Sequence, residues 1–429
     1  MKVAIVLNTS WNIYNFRMYL IKSLISQGDE VHTIAPKDDY TKNLITTGCI
    51  HHTVHMDSRG ANPLLDLALL AELWWKYRII KPDVILHFTI KPNIYGTLAA
   101  AMLNIPTINN VCGLGTVFLK KGIVNKVALL LYKLAFRFPK KVFFQNPDDL
   151  QLFLEKKLVR KGVGALVPGS GIDLVKFAPQ PIARNGPFIF LMISRLLYDK
   201  GVAEYLEAIH RLKSIGVNAR FQLLGAKDPK HKRGIDLKTI DNWIGSGAIE
   251  YLGTTDDVRP YIAQADCIVL PSYREGTPRV LLEAAAMQKP AIATNVPGCR
   301  QVVQDQVNGF LCELKNPADL AAKMHTMFEL DNAILDEMGK NGRMKVEQSL
   351  HEEIVGRLYL EALQDLRNRD DGAHKPVATA WPVFSFTPTF NPFTKNFRAC
   401  AKNTLEKLND KVTFGFKISR IFSNQLRNR

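Results

Sequence analysis

The chain has 429 residues and a formal net charge of +16, enough length for two hydrophobic cores plus extras and an excess that asks for an anionic partner: phosphate-bearing ligand, acidic lipid or nucleic acid. No apolar run approaches the roughly 20 residues that span a bilayer. The six cysteines, at 49, 112, 267, 299, 312 and 400, form no Cys-x-x-Cys pair, which argues against a disulfide framework or zinc knuckle and for a reducing cytosol.

Lys2–Asn8 is too short for a signal-peptide core and ends in polar residues, so it reads as a first strand. Thr9–Arg17 leads into an amphipathic helix closed by Gly28. Strand 30–35, a helix near 41–47, strand 51–55, helix 62–80 and strand 83–88 follow. Apolar strands alternating with helices indicate a parallel sheet covered on both faces. His51 and His55 would face one way on their strand and His52 the other, the pattern of a surface strand rather than a metal cluster.

The fourth strand runs into His87-Phe88-Thr89-Ile90-Lys91-Pro92-Asn93 before a helix through Ala101; the fifth runs into Asn110-Val111-Cys112-Gly113-Leu114-Gly115-Thr116. Ligands of open parallel sheets bind at the carboxyl ends of strands, so His87 and Lys91 are candidates on position alone. From Lys120 to Lys141 seven Lys and Arg accompany Ile123, Val127, Leu130, Leu131, Leu134 and Phe138 at helical spacing, without an acid. Such a basic amphipathic helix suits an anionic membrane surface; a helix packed on the sheet with solvated lysines is the other reading. Strand 142–145, helix 147–157 and strand 163–167 complete this half.

Pro168-Gly169-Ser170-Gly171-Ile172-Asp173 opens a stretch whose Pro179, Pro181, Asn185, Gly186 and Pro187 have linker composition. The alternation then resumes: strand 188–194, helix 201–215, strand 219–224 ending at Gly225, strand 249–252 ending at Gly253, and helix 256–264. Leu191-Met192-Ile193-Ser194-Arg195-Leu196-Leu197-Tyr198-Asp199-Lys200-Gly201 is a strand running into a helix with two cations near the turn. Asp266–Pro271 is a strand buried on both faces. After it come Ser272-Tyr273-Arg274-Glu275-Gly276-Thr277-Pro278-Arg279-Val280-Leu281-Leu282-Glu283-Ala284, with Thr277 as N-cap, Pro278 at the first helical position and a helix over Val280–Met287. Glu283 then lies roughly 9 Å of helical rise from the cap. The two carboxylates bracket a helix N-terminus, whose free N–H groups suit a phosphate. Helices 317–330 and 351–367 close the second half. Residues 374–429 carry ten Lys and Arg against Glu406 and Asp410, with nine aromatics, the composition of an appendage that docks rather than of a disordered tail.

Glu275 and Glu283, with seven residues between them and preceded by Arg195 and Lys200-Gly201, resemble the signature of family-4 glycosyltransferases. Gly169–Asp173, Leu224-Gly225, Tyr251-Leu252-Gly253, Asn295-Val296-Pro297-Gly298 and Asn308-Gly309-Phe310 match further turns of that family. The resemblance implies an α/β GT-B fold, two Rossmann-like parallel-sheet domains facing across a cleft. The acceptor-side domain would span 1–167, the linker 168–187, the nucleotide-sugar domain 188–347, a helix crossing back to the first domain 348–369, and the basic aromatic tail 370–429.

The family transfers a sugar from a nucleotide diphosphate with retention. The resemblance therefore casts Arg195 and Lys200 as neutralising the diphosphate, Gly276 and Thr277 as backbone donors, Glu275 as holding the sugar, Glu283 as holding the ribose, and Gly253 and Gly171 as further donor-side contacts. Many relatives have glycines in the first loop and a histidine after strand five. This chain has neither, offering Asn109, Asn110 and Cys112 at the latter place. No Asp-x-Asp occurs in the chain, which favours cation-assisted departure with a UDP-sugar as donor and no required metal or cofactor.

Ile13-Tyr14-Asn15-Phe16-Arg17-Met18, Lys91–Ala100 and Gly113-Leu114-Gly115 resemble the branch that adds N-acetylgalactosamine or galactose to an amino sugar on undecaprenyl diphosphate, making Asn15 and Arg17 acceptor-side candidates. That branch implies an enzyme of bacterial surface-polysaccharide or O-antigen assembly, cytoplasmic and peripheral on the inner membrane. Membrane contact would run through 120–141, with 374–429 as a second candidate, and no nucleic acid is expected. The alternatives are a GT-B UDP-sugar epimerase and a non-enzymatic nucleic-acid-binding protein. A glycoside hydrolase would use two carboxyls but leaves the Arg-Lys pair without a role.

Overall fold

The computed structural model describes residues 1–57, 62–114, 122–181, 186–229, 231 and 233–370. Gly115, Thr116, Asn185 and the tail 374–429 lie outside the described residues, as does the start of the basic stretch from Lys120. Two compact units emerge. Of the described residues, the first comprises Met1–Leu174, Glu275–Arg279 and 347–370; the second comprises Val175–Arg274 and Val280–Val346.

The first unit alternates β1 (Lys2–Val6), α1 (Ser10–Ser26), β2 (Glu30–Ala35), α2 (Thr41–Thr46), β3 (Ile50–Thr53), α3 (Pro63–Ile80), β4 (Val84–Phe88), a π-helical turn (Pro92–Gly96) running into α4 (Thr97–Ala101), β5 (Thr107–Val111), α5 (Ile123–Ala135), β6 (Lys141–Phe144), α6 (Pro147–Glu155) and β7 (Gly164–Leu166). All neighbouring strands pair in parallel, in the order β3-β2-β1-β4-β5-β6-β7. The strands are apolar on both faces because helices cover both. Val3, Ile5, Leu86, Phe88 and Phe143 pack against α1 on one side. Ala4, Val6 and Ile85 meet α3 and α4 on the other, where Val111, Val142 and Phe144 meet α5 and α6. Caps fix the helix starts: Thr9 Oγ1 accepts from the Asn12 N–H at 3.0 Å and Asn146 Oδ1 from the Asp149 N–H at 2.8 Å, each worth about 1 kcal/mol.

The second unit runs β8 (Phe188–Ile193), a 3₁₀ turn (Tyr198–Lys200), α7 (Val202–Ser214), β9 (Ala219–Leu224), α8 (Leu237–Gly245), β10 (Glu250–Tyr251), α9 (Arg259–Gln264), β11 (Cys267–Leu270), α10 (Arg279–Ala286), β12 (Ala291–Thr294), α11 (Pro297–Val302), β13 (Gly309–Cys312), α12 (Pro317–Phe328) and α13 (Asn332–Ser349). Its six strands are parallel in the order β10-β9-β8-β11-β12-β13. In each sheet the order reverses beside the first strand, at β1/β4 and at β8/β11, which is where such sheets open a crevice. A final helix, α14 (Glu352–Asp370), belongs to the first unit: Val355, Leu358, Tyr359 and Leu363 share the core of α1 and β1.

The strand of histidines spends its side chains locally. His52 Nε2 lies 2.9 Å from His32 Nδ1, His51 Nδ1 lies 3.1 Å from Thr33 Oγ1, and His55 pairs with Glu72 at 3.4 Å. Among the described residues no group of three or more His, Cys, Asp or Glu could hold a metal ion, and no helix is long and apolar enough to cross a membrane.

Candidate active site

In the second unit the loops at the carboxyl edge are locked to one another by glycines and backbone bonds. Gly201, at φ 78°, would place a Cβ 2.1 Å from the Pro271 carbonyl oxygen, and Gly225, at φ 147°, one 1.8 Å from the Ser194 carbonyl oxygen. Only glycine meets both the conformation and the approach. Gly225 N–H donates to Gly253 O at 2.8 Å and Tyr251 Oη to Gly225 O at 2.9 Å, so the ends of β8, β9 and β10 form one piece. Gly253, at φ 75°, has no heavy atom within 4 Å of where a Cβ would stand.

Arg195 is exposed on this edge and Lys200 half-buried at the end of the 3₁₀ turn. Between them Asp199 ties the first cation loop to the loop before Glu275. Its carbonyl accepts the Tyr273 N–H at 2.9 Å and the Ser272 hydroxyl at 3.2 Å, and its carboxylate holds Arg233 at 2.8 Å. Tyr273 Oη in turn donates to Glu204 at 2.5 Å, and Lys315 Nζ stands 4.7 Å from the centre of its ring. Burial and the neighbouring Glu204 raise the Tyr273 phenol, so it stays a donor. His231 stands near these cations as a neutral ring, its pKa lowered by burial and by the charges of Arg195 and Arg233. Sequence reasoning missed Asp199, Tyr273, His231 and Arg233; the Asp beside Lys200 and the Tyr two residues before Glu275 were the available signals.

Glu275–Arg279 packs within the first unit. A Cβ on Gly276 would lie 2.1 Å from the Cys112 carbonyl oxygen; one on Gly113 would lie 3.2 Å from the Gly276 nitrogen. Asn146 Nδ2 donates to Gly276 O and Thr277 Oγ1 to Gln145 O, each at 3.4 Å, and Arg279 Nη1 donates to Gly171 O at 2.9 Å. The helix begins at Arg279 rather than Pro278, leaving Glu275 in the loop and Glu283 inside α10, half-buried. Gly171 itself is a packing glycine: at φ 74°, its Cβ would meet Glu352 Cα at 2.5 Å.

The acceptor-side candidates are largely engaged elsewhere. His87 is fully buried, its Nε2 2.9 Å from Tyr77 Oη and its Nδ1 3.4 Å from Thr97 Oγ1, and burial pushes its pKa down to about 3. It is a core histidine, because its place in β4 turns it under the sheet against Gly96. Lys91 closes an ion pair of 2.7 Å with Asp66, both largely buried. Neither is free to meet a substrate. Arg17 is 5% exposed, with its guanidinium 4.2 Å from the Phe88 ring centre and Nη1 donating to Phe16 O at 3.1 Å. Asn15 Nδ2 donates to Trp11 O at 3.0 Å. Cys112 donates its thiol to Asn110 Oδ1 at 3.0 Å; its pKa is raised by burial, with Arg17 opposing.

Residues 187–329 match the family model described as glycosyl transferases group 1, and residues 2–146 the model described as glycosyl transferase 4-like. The chain is 30% identical to the N,N'-diacetylbacillosaminyl-diphospho-undecaprenol alpha-1,3-N-acetylgalactosaminyltransferase of Campylobacter jejuni, over 84% of this chain and 98% of that one. It is 25% identical to the Escherichia coli UDP-Gal:alpha-D-GlcNAc-diphosphoundecaprenol alpha-1,3-galactosyltransferase, over 67% and 76%. Among solved structures, sucrose-phosphate synthase from Thermosynechococcus elongatus matches with a TM-score of 0.72 at 19% identity, over 86% and 100%. The Anabaena HepE protein in complex with UDP-glucose matches with a TM-score of 0.69 at 18% identity, over 85% and 100%. These two share the fold.

Proposed function

The chain belongs to the group 1, family-4 glycosyltransferases, and from that premise we propose that it moves a hexose or N-acetylhexosamine from a UDP-sugar to an undecaprenyl-diphosphate-linked sugar. The alignment with the Campylobacter enzyme, which spans nearly that whole protein, is the observation that carries this reading. The product would be a lipid-linked intermediate of a bacterial surface glycan, made at the cytoplasmic face of the inner membrane.

Bond breaking leaves negative charge on the diphosphate, and preorganised cations with helix N-terminal amides stabilise it without reorganisation. Arg195 and Lys200 supply the cations, and the start of α10, with Gly276 and Thr277 before it, supplies the amides. Glu275 holds sugar hydroxyls and places the anomeric carbon. Glu283 accepts the ribose hydroxyls. Transfer proceeds with retention and without a required metal, in keeping with a chain that has no Asp-x-Asp.

Mass spectrometry of an undecaprenyl-diphosphate amino sugar after incubation with enzyme and UDP-sugars tests the reading. A gain of one hexose or N-acetylhexosamine, with an α-linkage by proton NMR, is the expected result. An unmodified lipid beside an epimerised UDP-sugar would replace the reading with the epimerase.

A further inference from the structure

Helix α3 is apolar on both sides. Leu69, Leu73, Tyr77 and Ile80 enter the core, while Leu64, Leu67, Trp75 and Ile79 face outward with exposures of 78, 63, 57 and 61%. A helix lying on a sheet ordinarily keeps its outer stripe polar, so this second apolar stripe calls for a cover. Helix α5 repeats the pattern. Tyr132 and Ala135 point inward, and Val127, Leu130 and Leu134, continued by Phe138, are exposed at spacings of three and four.

The two stripes lie on one side of the first sheet. Ala4 pairs with Ile85, Ile85 with Thr107, Asn109 with Val142 and Val111 with Phe144, and paired residues of parallel strands share a face. Ala4 and Ile85 support α3; Val111, Val142 and Phe144 support α5. Both helices touch the Pro92–Gly96 turn between them.

Charge chooses the occupant. Lys126, Lys133, Arg137 and Lys140 are exposed along and after α5, and Arg78 on α3. Among the described residues, neither helix has an exposed carboxylate: Asp66 is buried against Lys91, and Glu72 is half-buried and paired with Lys76. A second copy of the chain would set this basic face against itself. Residues 374–429, with ten Lys and Arg against two acids, would also meet like charge.

We propose that α3 and α5 together form the face by which the first unit lies on an anionic bilayer, with Trp75, Ile79, Leu130 and Phe138 entering the headgroup boundary and Lys126, Lys133 and Arg137 meeting lipid phosphates. A lipid-linked acceptor is the reason such a face would be useful, so the inference rests on the proposed function, but its test does not use sugar transfer. Sequence patterning pointed to α5; α3 enters only through the exposure of its outer stripe and its place on the same side of the sheet.

The full-length protein is sedimented with vesicles of phosphatidylcholine alone and with added phosphatidylglycerol, at low and high salt. Wild type is expected to bind the anionic vesicles and to be released by salt. W75S/I79S in α3 and K126E/K133E in α5 should each lower the partition about tenfold or more, with unchanged circular dichroism, while W75F/I79L retains binding. Wild-type binding by W75S/I79S would overturn the proposal. So would light scattering showing a wild-type dimer that W75S/I79S converts to monomer while vesicle binding stays absent. Vesicle binding intact in a protein that transfers no sugar would strike the proposed function and leave this face standing.

Discussion

Gly276 lies against Cys112 so closely that a Cβ at Gly276 would stand 2.1 Å from the Cys112 carbonyl oxygen and 2.7 Å from Gln145 Oε1. A backbone carbonyl cannot yield that far, so a side chain at Gly276 displaces the Glu275–Arg279 segment. G276A is expected to lower kcat/KM by roughly a hundredfold, the loss a misplacement of about 1 Å brings, while the melting temperature falls by only a few degrees. Steady-state UDP release and a thermal melt check both. Wild-type kinetics in G276A would show that the segment acts without this packing.

The Tyr273 hydroxyl on Glu204 is a bond to a charged group, which is worth about 1.5–3 kcal/mol. Y273F removes the donor and leaves the partly buried Glu204 carboxylate short of a partner. Stability should drop by about that amount, and turnover should fall because the Tyr273 hydroxyl no longer anchors the loop before Glu275 to Glu204 of α7. Adding E204Q should recover much of the stability but little of the turnover. Equal recovery of both would reduce the contact to a purely structural one.

Acid should destabilise the first unit through the buried His87 and the half-buried His52. His87 is pushed down to about 3 by burial, and His52 to about 4 by burial and by His32. Below the ordinary value of 6.5 the unfolded chain takes up protons that the folded chain refuses. Stability is therefore highest above that pH and falls as the pH drops, at about 1.4 kcal/mol per pH unit for the buried His87 and less for His52, which solvent screens. The fall from His52 levels off first, near its folded value. Urea titrations between neutral pH and pH 4.5 should show a shallower acid limb in H87N than in wild type, although H87N starts less stable. Parallel limbs would contradict the assignment.

Lys91 and Asp66 form a largely buried pair, with Tyr95 Oη also donating to Asp66 at 3.0 Å. Removing one partner of such a pair costs about 3–5 kcal/mol. K91M should therefore lower the melting temperature clearly while leaving the KM for acceptor within a few-fold of wild type. A selective rise in acceptor KM with unchanged stability would restore Lys91 to the acceptor side.

Where burial and periodicity agree, the fold was readable. The run Cys267–Leu270 is buried at every residue and reads as a central parallel strand. The 30–35 and 219–224 strands fall at their expected bounds. Elements escaped where tertiary packing overrides local preference. Helix α13 contains Gly339 and Gly342, poor helix residues, yet a Cβ at Gly339 would strike the Gln288 carbonyl at 2.1 Å, so close packing demands the glycine. Strands β12 and β13, four residues each, were hidden among turn residues such as Asn295, Asn308 and Gly309.

The site divides the same way. Strand, turn and helix are local, so the β11–α10 loop was readable from the sequence, while its reading as a site drew on Arg195, Lys200 and the family resemblance. The fate of His87 and Lys91 depends on Tyr77, Thr97 and Asp66, ten to twenty-five residues away. Position at a strand end gave no indication of which way those side chains turn.

The most direct test of the account is acceptor-dependent UDP release in EDTA. Purified protein meets UDP-N-acetylgalactosamine, UDP-galactose or UDP-glucose, with and without an undecaprenyl-diphosphate amino sugar. One donor should release UDP only when the acceptor is present, unaffected by EDTA, and E275A should slow that release about a hundredfold or more. No release with any donor and acceptor, or equal release from E275A, would contradict a transferase built on Glu275.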